Sequence, residues 1–293
     1  MKPYWLKTRL PSGETSRDMD RLLARLGLHT VCASAKCPNL GECWGHGTAT
    51  FMILGDVCTR HCRFCAVRSG NPGGDVDAAE PDRIAQAVLE LKLRHVVVTS
   101  VDRDDLPDLG TGQFACTIRA IRQAAPHARI EVLIPDFAAR PELLRLIADA
   151  GPDIIAHNLE TVEALTPAVR DLRANYRSSL RVLEMLRDRG QSRFSEAESR
   201  YSPLTKSGLM LGLGETQEQV VQTLRDLRSV GVSIVTIGQY LPPRRSSFPV
   251  AEYVPPEQFA EYGRIARELG FAAVASAPLV RSSYHAADVA LAF

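Results

Sequence analysis

The chain has 293 residues, is 45% apolar and 24% charged, and sets 35 Lys+Arg against 34 Asp+Glu for a formal net charge of +1. That apolar share excludes a disordered chain, and 20 Gly with 18 Pro are too few for a low-complexity one. No apolar run approaches the roughly 18 to 20 residues that a bilayer span needs, and the balanced charge makes no field for polyanions, so neither a membrane nor a nucleic acid is an expected partner. Residues 1–16 hold no apolar stretch of the signal-peptide kind, and Glu14, Asp18 and Asp20 suit a transit peptide poorly. A reducing cytoplasm is therefore the expected setting, with thiols in preference to disulfides.

In chain order, Met19, Leu22, Leu23 and Leu26 recur at helical spacing and predict a helix over 17–26, with Gly27 at its C′ position. Cys32 to Gly47 is rich in Cys, Gly, Asn and Pro and reads as irregular loop. A regular alternation follows. Thr48–Leu54 reads as strand, Asp82–Lys92 as helix, His95–Thr99 as strand and Thr111–Ala124 as helix. Arg129–Ile134, Pro141–Ala150, Asp153–Ala156 and Asn175–Arg189 continue as strand, helix, strand and helix. Gly208–Leu213, Gln217–Ser229, Ser233–Ile237 and Pro256–Leu269 repeat the pattern, and Ala272–Ala275 is a last short apolar run. Gln191 to Thr205 is polar and aperiodic and reads as a surface excursion.

Short β-rich segments alternating with helices predict βαβ units and a parallel sheet, hence an α/β fold of the partial, (β/α)6-type, TIM-like barrel kind. In such a fold function gathers just beyond the strands. That rim holds Cys58, Cys62 and Cys65, Ser100, Asp102 and Asp105, Asp136, His157, Asn158 and Glu160, Gly214 and Glu215, and Gln239 and Tyr240.

Six of the seven cysteines lie between Cys32 and Cys65. Cys58-x3-Cys62-x2-Cys65 puts three thiols within eight residues, a spacing suited to an iron–sulfur cluster. A closed zinc site wants four ligands, and here it would need His61 or His46. Cys32-x4-Cys37-x5-Cys43 forms a second triad, also one ligand short. Cys116, flanked in a predicted helix by Phe114 and Ile118, reads as a buried structural thiol, and His157 as a core histidine.

The first triad, with Phe64 before its last cysteine, resembles the motif of the radical S-adenosylmethionine (SAM) superfamily. Both triads together, with Lys36-Cys37-Pro38-Asn39 and Gly41-Glu42-Cys43-Trp44, resemble the lipoyl synthase family. So do Thr99 to Leu106, Asn158 to Thr161, Lys206-Ser207-Gly208, Gly212 to Glu215 and Arg281-Ser282-Ser283-Tyr284, in that family's order, with coverage from about residue 30 to 288.

The resemblance implies two [4Fe-4S] clusters. Cys58, Cys62 and Cys65 would hold the one that binds SAM, and Cys32, Cys37, Cys43 and Ser283 an auxiliary one. It implies SAM contacts from Phe64, Thr99, Ser100, Asp102, Asn158, Glu160, Arg173, Met210, Gly212 and Glu215. Residues 1–47 would form an N-terminal extension, 48–276 the partial barrel, and 277–293 a C-terminal tail closing over the site with the serine ligand. The implied reaction is radical sulfur insertion at C6 and C8 of a protein-bound octanoyl chain, with the auxiliary cluster as sulfur donor. The implied partners are an octanoylated lipoyl carrier domain (a dehydrogenase E2 subunit or the glycine cleavage H protein) and a ferredoxin- or flavodoxin-like electron donor, the enzyme acting as a monomer. Arg244 and Arg245, after Pro242-Pro243, are candidates for contact with an acidic protein surface. A methylthiotransferase-like or biotin-synthase-like enzyme and a non-enzymatic metal-binding module remain as rival readings.

Overall fold

A computed structural model describes residues 2–7, 14–34, 39, 43, 50–192 and 203–283. The chain forms two compact units, each assembled from separated stretches: Thr8–Arg60 with Ala66–Ile154, and Met1–Lys7 with His61–Cys65 and Ile155–Phe293.

In the first of these, helix α1 (Glu14–Leu26) buries Met19, Leu22, Leu23 and Leu26. It ends where Gly27 takes φ +60°, with Gly27 N–H on the Ala24 carbonyl and Leu28 N–H on that of Leu23, a Schellman closure. Strand β1 (His29–Thr30) and a short helix α2 (Val31–Ser34) follow, so Cys32 sits on a helical turn and not in the irregular loop expected from 32 onward. Beyond it, β2 (Thr50–Ile53) is buried on both faces and leads to β3 (Val57–Cys58), which pairs in parallel with β4 (Arg68–Ser69).

Helix α3 (Glu80–Glu90) starts two residues before the expected Asp82, because Pro81 fits its first turn and acidic Glu80 and Asp82 suit its N-terminal dipole. Strand β5 (His95–Ser100), helix α4 (Thr111–Ala124), strand β6 (Arg129–Leu133) and helix α5 (Pro141–Asp149) complete the alternation. β1 runs antiparallel to β2, while β2, β5 and β6 are parallel, with Thr50 opposite Val97 and His95 opposite Arg129. The β-branched run of β5 is buried almost throughout, as a parallel strand covered on both faces requires. Buried Phe114, Ala115, Thr117, Ile118 and Ile121 turn α4 inward, which leaves Cys116 exposed and not buried as expected.

The second unit takes up the chain within β7 (Ile154–Ala156). Helices α6 (Thr166–Val169) and α7 (Tyr176–Ser192) precede β8 (Leu204–Leu211). That strand begins four residues before the expected Gly208, inside the stretch read as a surface excursion, and the rest of 193–202 lies outside the described residues. Helix α8 (Gln217–Ser229) opens with a reciprocal capping box between Thr216 and Gln219. β9 (Ile234–Gln239), α9 (Pro256–Glu268) and β10 (Ala273–Ser276) finish it. β8, β9 and β10 are parallel, with Lys206 opposite Ile234 and Ala273 opposite Ile234 on the other side. Their core gathers Leu183, Leu209, Leu224, Val235, Ile237 and Phe259. Each unit thus shows the expected α/β alternation with parallel strands. Among the described residues no helix is long and apolar enough to cross a membrane.

Candidate active site

Cys58 ends β3 in the first unit, and its sulfur accepts N–H bonds from Asp102 at 3.3 Å and Arg60 at 3.4 Å. The loop is tied by Thr59, whose N–H meets the Asp102 carbonyl and whose Oγ1 donates to Asp104 Oδ2 at 2.6 Å. Arg60 is the hub. It donates to both oxygens of Asp136 (2.7 and 2.8 Å) and to both of Asp104 (3.0 and 3.1 Å), and its Nε lies 3.2 Å from Asp102.

Its side chain is 6% exposed and that of Asp136 3%. Burial opposes the Arg60 charge, but the bonds to Asp136 and the fields of Asp102 and Asp104 outweigh it, so the guanidinium titrates above its ordinary range. Burial pushes the Asp102 carboxyl up to about 6, with Arg60 pulling it down and Asp136 and Asp104 adding repulsion. Nearby, Arg103 forks onto Asp105 at 2.9 Å and donates to the Asp75 carbonyl. At the end of β5, the Thr99 hydroxyl donates to the Leu133 carbonyl, whereas the buried Ser100 Oγ has no partner.

In the second unit, residues 61–65 are held by the turn after α6. Arg63 N–H bonds the Val169 carbonyl, His61 N–H bonds Asp171 Oδ2 at 2.7 Å, and Asp171 N–H points at the Cys62 sulfur at 3.4 Å. Arg173 donates its backbone N–H, Nε and Nη2 to the Asp171 carboxylate, holding it well below the usual carboxylate range. The expected cofactor cation is therefore engaged in building the cysteine turn. On the other side Phe248 N–H bonds the Arg63 carbonyl, and the Arg63 guanidinium lies 4.8 Å over the Phe248 ring. Phe64 and Met210 pack together around Val169, Leu213 and Tyr240.

Asn158 and Glu160 lie beside β8. Glu160 holds φ +69° for a non-glycine residue, fixed by its N–H on Gly208 and its carbonyl on Met210 N–H. A Cβ at Gly208 would approach Asn158 Oδ1 to 2.9 Å, so glycine makes room for that side chain. Asn158 Nδ2 donates to Glu160 at 3.1 Å and to Ser282 Oγ at 2.7 Å, while its buried Oδ1 is unpartnered. The tail reaches this point because Gly238 on β9 lets it: a Cβ there would sit 2.0 Å from the Val280 carbonyl. Both oxygens of Glu215 accept backbone N–H bonds, from Gly212 and Leu213, so this carboxylate closes the loop after β8. His157 is buried against Ser179, as a core histidine.

Of the second triad, Cys32 is buried and Cys43 half-buried, with Cys43 N–H on the Asn39 carbonyl, while Cys37 lies outside the described residues. Ser283 is half-buried beside Ser282, and Tyr284 lies outside the described residues. Among the described residues no three His, Cys, Asp or Glu side chains are already drawn up as a metal-binding group. What suits thiolate ligation is the N–H donors aimed at the sulfurs of Cys58 and Cys62, since such bonds set a cluster's potential. What suits a polar ligand is, in each unit by itself, a buried oxygen without a partner: Ser100 Oγ in the first and Asn158 Oδ1 in the second. Sequence reasoning did not single out Arg60 or Asp171. The polar Arg170-Asp171-Leu172-Arg173 run ahead of α7 was the available signal for the second, and nothing local marked the first.

A family model described as the radical SAM superfamily matches residues 52–227. The lipoyl synthase of Pyrobaculum arsenaticum is 55% identical over 289 residues, covering 98% of this chain and 94% of its own length. That of Thermus thermophilus is 51% identical over 290 residues (99% and 87%), and a mitochondrial lipoyl synthase of Nematostella vectensis 50% over 285 (97% and 94%). Among solved structures, the hydrogenase maturase HydG aligns with TM-score 0.57 at 13% identity over 91% of this chain and 57% of that one. SuiB of Streptococcus suis bound to S-adenosylmethionine aligns with TM-score 0.54 at 10% identity over 79% and 50%. These structural likenesses show the fold, and the sequence relatives carry the family. By that identity over nearly its whole length, the chain belongs to the lipoyl synthase family of the radical SAM superfamily.

Proposed function

We propose that this chain inserts two sulfur atoms, at C6 and C8, into an octanoyl group carried on the lysine of a lipoyl carrier domain. The observation that carries the reading is the full-length kinship with lipoyl synthases, joined to a cysteine motif whose sulfurs meet aimed N–H donors. Cys58, Cys62 and Cys65 hold a [4Fe-4S] cluster and SAM binds beside it. Cys32, Cys37, Cys43 and Ser283 would hold a second, auxiliary cluster, whose chemistry would be to supply the sulfur. When bound, the first cluster and SAM supply the radical chemistry that breaks unactivated C–H bonds, which no side chain does by acid–base work.

The residues of the chain orient and hold. Arg60, clamped by Asp104 and Asp136, fixes the loop that presents Cys58, and Asp171, clamped by Arg173, fixes the turn that presents Cys62. The family resemblance carries SAM contacts to both Ser100 and Asn158, and within its own unit each offers a buried oxygen able to accept a hydrogen bond. Asn158 also anchors Ser282, and with it the tail that brings Ser283. The substrate is an E2 subunit or the glycine cleavage H protein, and the electrons come from a ferredoxin- or flavodoxin-like protein. A reducing, cytoplasmic setting suits these thiols.

Anaerobic reconstitution should load about eight irons per chain, the content of two cubane clusters. Mass spectrometry of an octanoylated carrier should then show two sulfurs gained. A chain that holds one cluster, or binds zinc and stays colourless, overturns the reading.

A further inference from the structure

Three segments of the second unit meet around Arg63. Residues 61–65 lie between the turn 168–173 and the loop 244–248, joined to the first through Arg63 N–H and to the second through Phe248 N–H. Together they carry Arg63, Arg170, Arg173, Arg244 and Arg245 against one carboxylate, Asp171. That carboxylate is already used by His61 N–H and by Arg173. Arg63, Arg244 and Arg245 are exposed.

Within this basic field Leu172 is 95% exposed, on a turn pinned by Arg173 N–H and Ala174 N–H to Asp171. A lone exposed leucine is ordinary. This one follows directly on the residue whose N–H holds Cys62, and it cannot withdraw while that turn keeps its bonds.

We infer that the face formed by Leu172, Arg63, Arg244 and Arg245 is the docking surface for an acidic protein that delivers single electrons to the centre held by Cys62 and Cys65. The inference rests on the function proposed above. Charge complementarity selects an acidic partner and speeds its encounter. Proximity selects the electron donor over the carrier. Electron transfer falls steeply with distance, so a donor must bring its own redox centre against the cysteine turn. A carrier presents its octanoyl group on a long lysyl arm and has no need to sit there.

The test uses the reconstituted full chain and a purified, acidic, low-potential [4Fe-4S] ferredoxin as the probe. The variants are Leu172→Glu and the double Arg244→Glu/Arg245→Glu, checked by melting temperature. Calorimetric titration gives Kd, and dithionite-driven cleavage of SAM gives the donor-independent reaction. Wild-type affinity should fall when salt rises from about 0.05 to about 0.5 M. The double variant should lose at least about tenfold in Kd and Leu172→Glu several-fold, while dithionite-driven cleavage stays within about twofold of wild type. Unchanged ferredoxin affinity in both variants overturns the proposal. So does a loss confined to an octanoylated carrier domain, which would hand this face to the carrier. Should the wild-type chain fail to cleave SAM with dithionite, the functional reading falls, and the Kd values still decide the docking face.

Discussion

Cys58 and Cys62 stand four residues apart and each sulfur receives backbone N–H donors, yet the two are held by different physics. Around Cys58, three carboxylates converge on one nearly inaccessible guanidinium. Around Cys62, a single carboxylate is clamped by Arg173, whose side chain is 49% exposed. A buried ionic hub fixes geometry because no member can leave without stranding the others in a poor solvent. A clamp exposed on one side, with Asp171 8% and Arg173 49% exposed, fixes geometry more loosely, because water takes over the bonds the guanidinium loses. One half of the motif is thus built to stay still, and the other to face what arrives from outside.

The sharpest way to break this contrast is Arg60→Ala, which strands buried Asp136 and should cost about 3–5 kcal/mol, measured by urea unfolding of the cluster-free chain. A cost under about 1 kcal/mol would show that the hub does not hold the loop. Asp171→Ala is next. It unpairs the His61 N–H but leaves Arg173 hydrated, so the cost should be about 1–2 kcal/mol in the same assay.

Acid sharpens the comparison further. Bonds from the buried Arg103 hold the Asp105 carboxyl below its ordinary value of about 3.9. Its contribution is therefore complete above that value and fades as pH falls below about 4. Asp105→Asn should accordingly lower the urea midpoint more at neutral pH than at about pH 3, and equal losses at both would contradict the pairing. The smallest expected effect is Leu172→Ser, within about 0.5 kcal/mol of wild type, since that side chain packs on nothing.

The alternation of strands and helices was legible because it rests on local composition, as in the Val-rich β5 and the Pro81 start of α3. The cysteine spacing was legible for a similar reason, being local. Arg60 was not, since Asp104 and Asp136 reach it from 44 and 76 residues away and no short window contains the pattern. The start of β8 was hidden by Lys206 and Ser207, polar residues that the fold buries. Cys116 misled because apolar neighbours in sequence lie on the opposite side of a helix. Gly238 was equally silent, its role set by a tail that returns from 42 residues further on.

The bond from Asn158 to Ser282 spans 124 positions of chain. On a ribosome adding about 5–20 residues each second, Asn158 therefore emerges on the order of ten seconds before its partner does. Through that interval β8, β9 and β10 are still being made, and Asn158 waits without its serine partner. Ser282 can fix Asn158 only once that end has been translated, whereas the stretch 58–65, with its three cysteines, is complete much earlier.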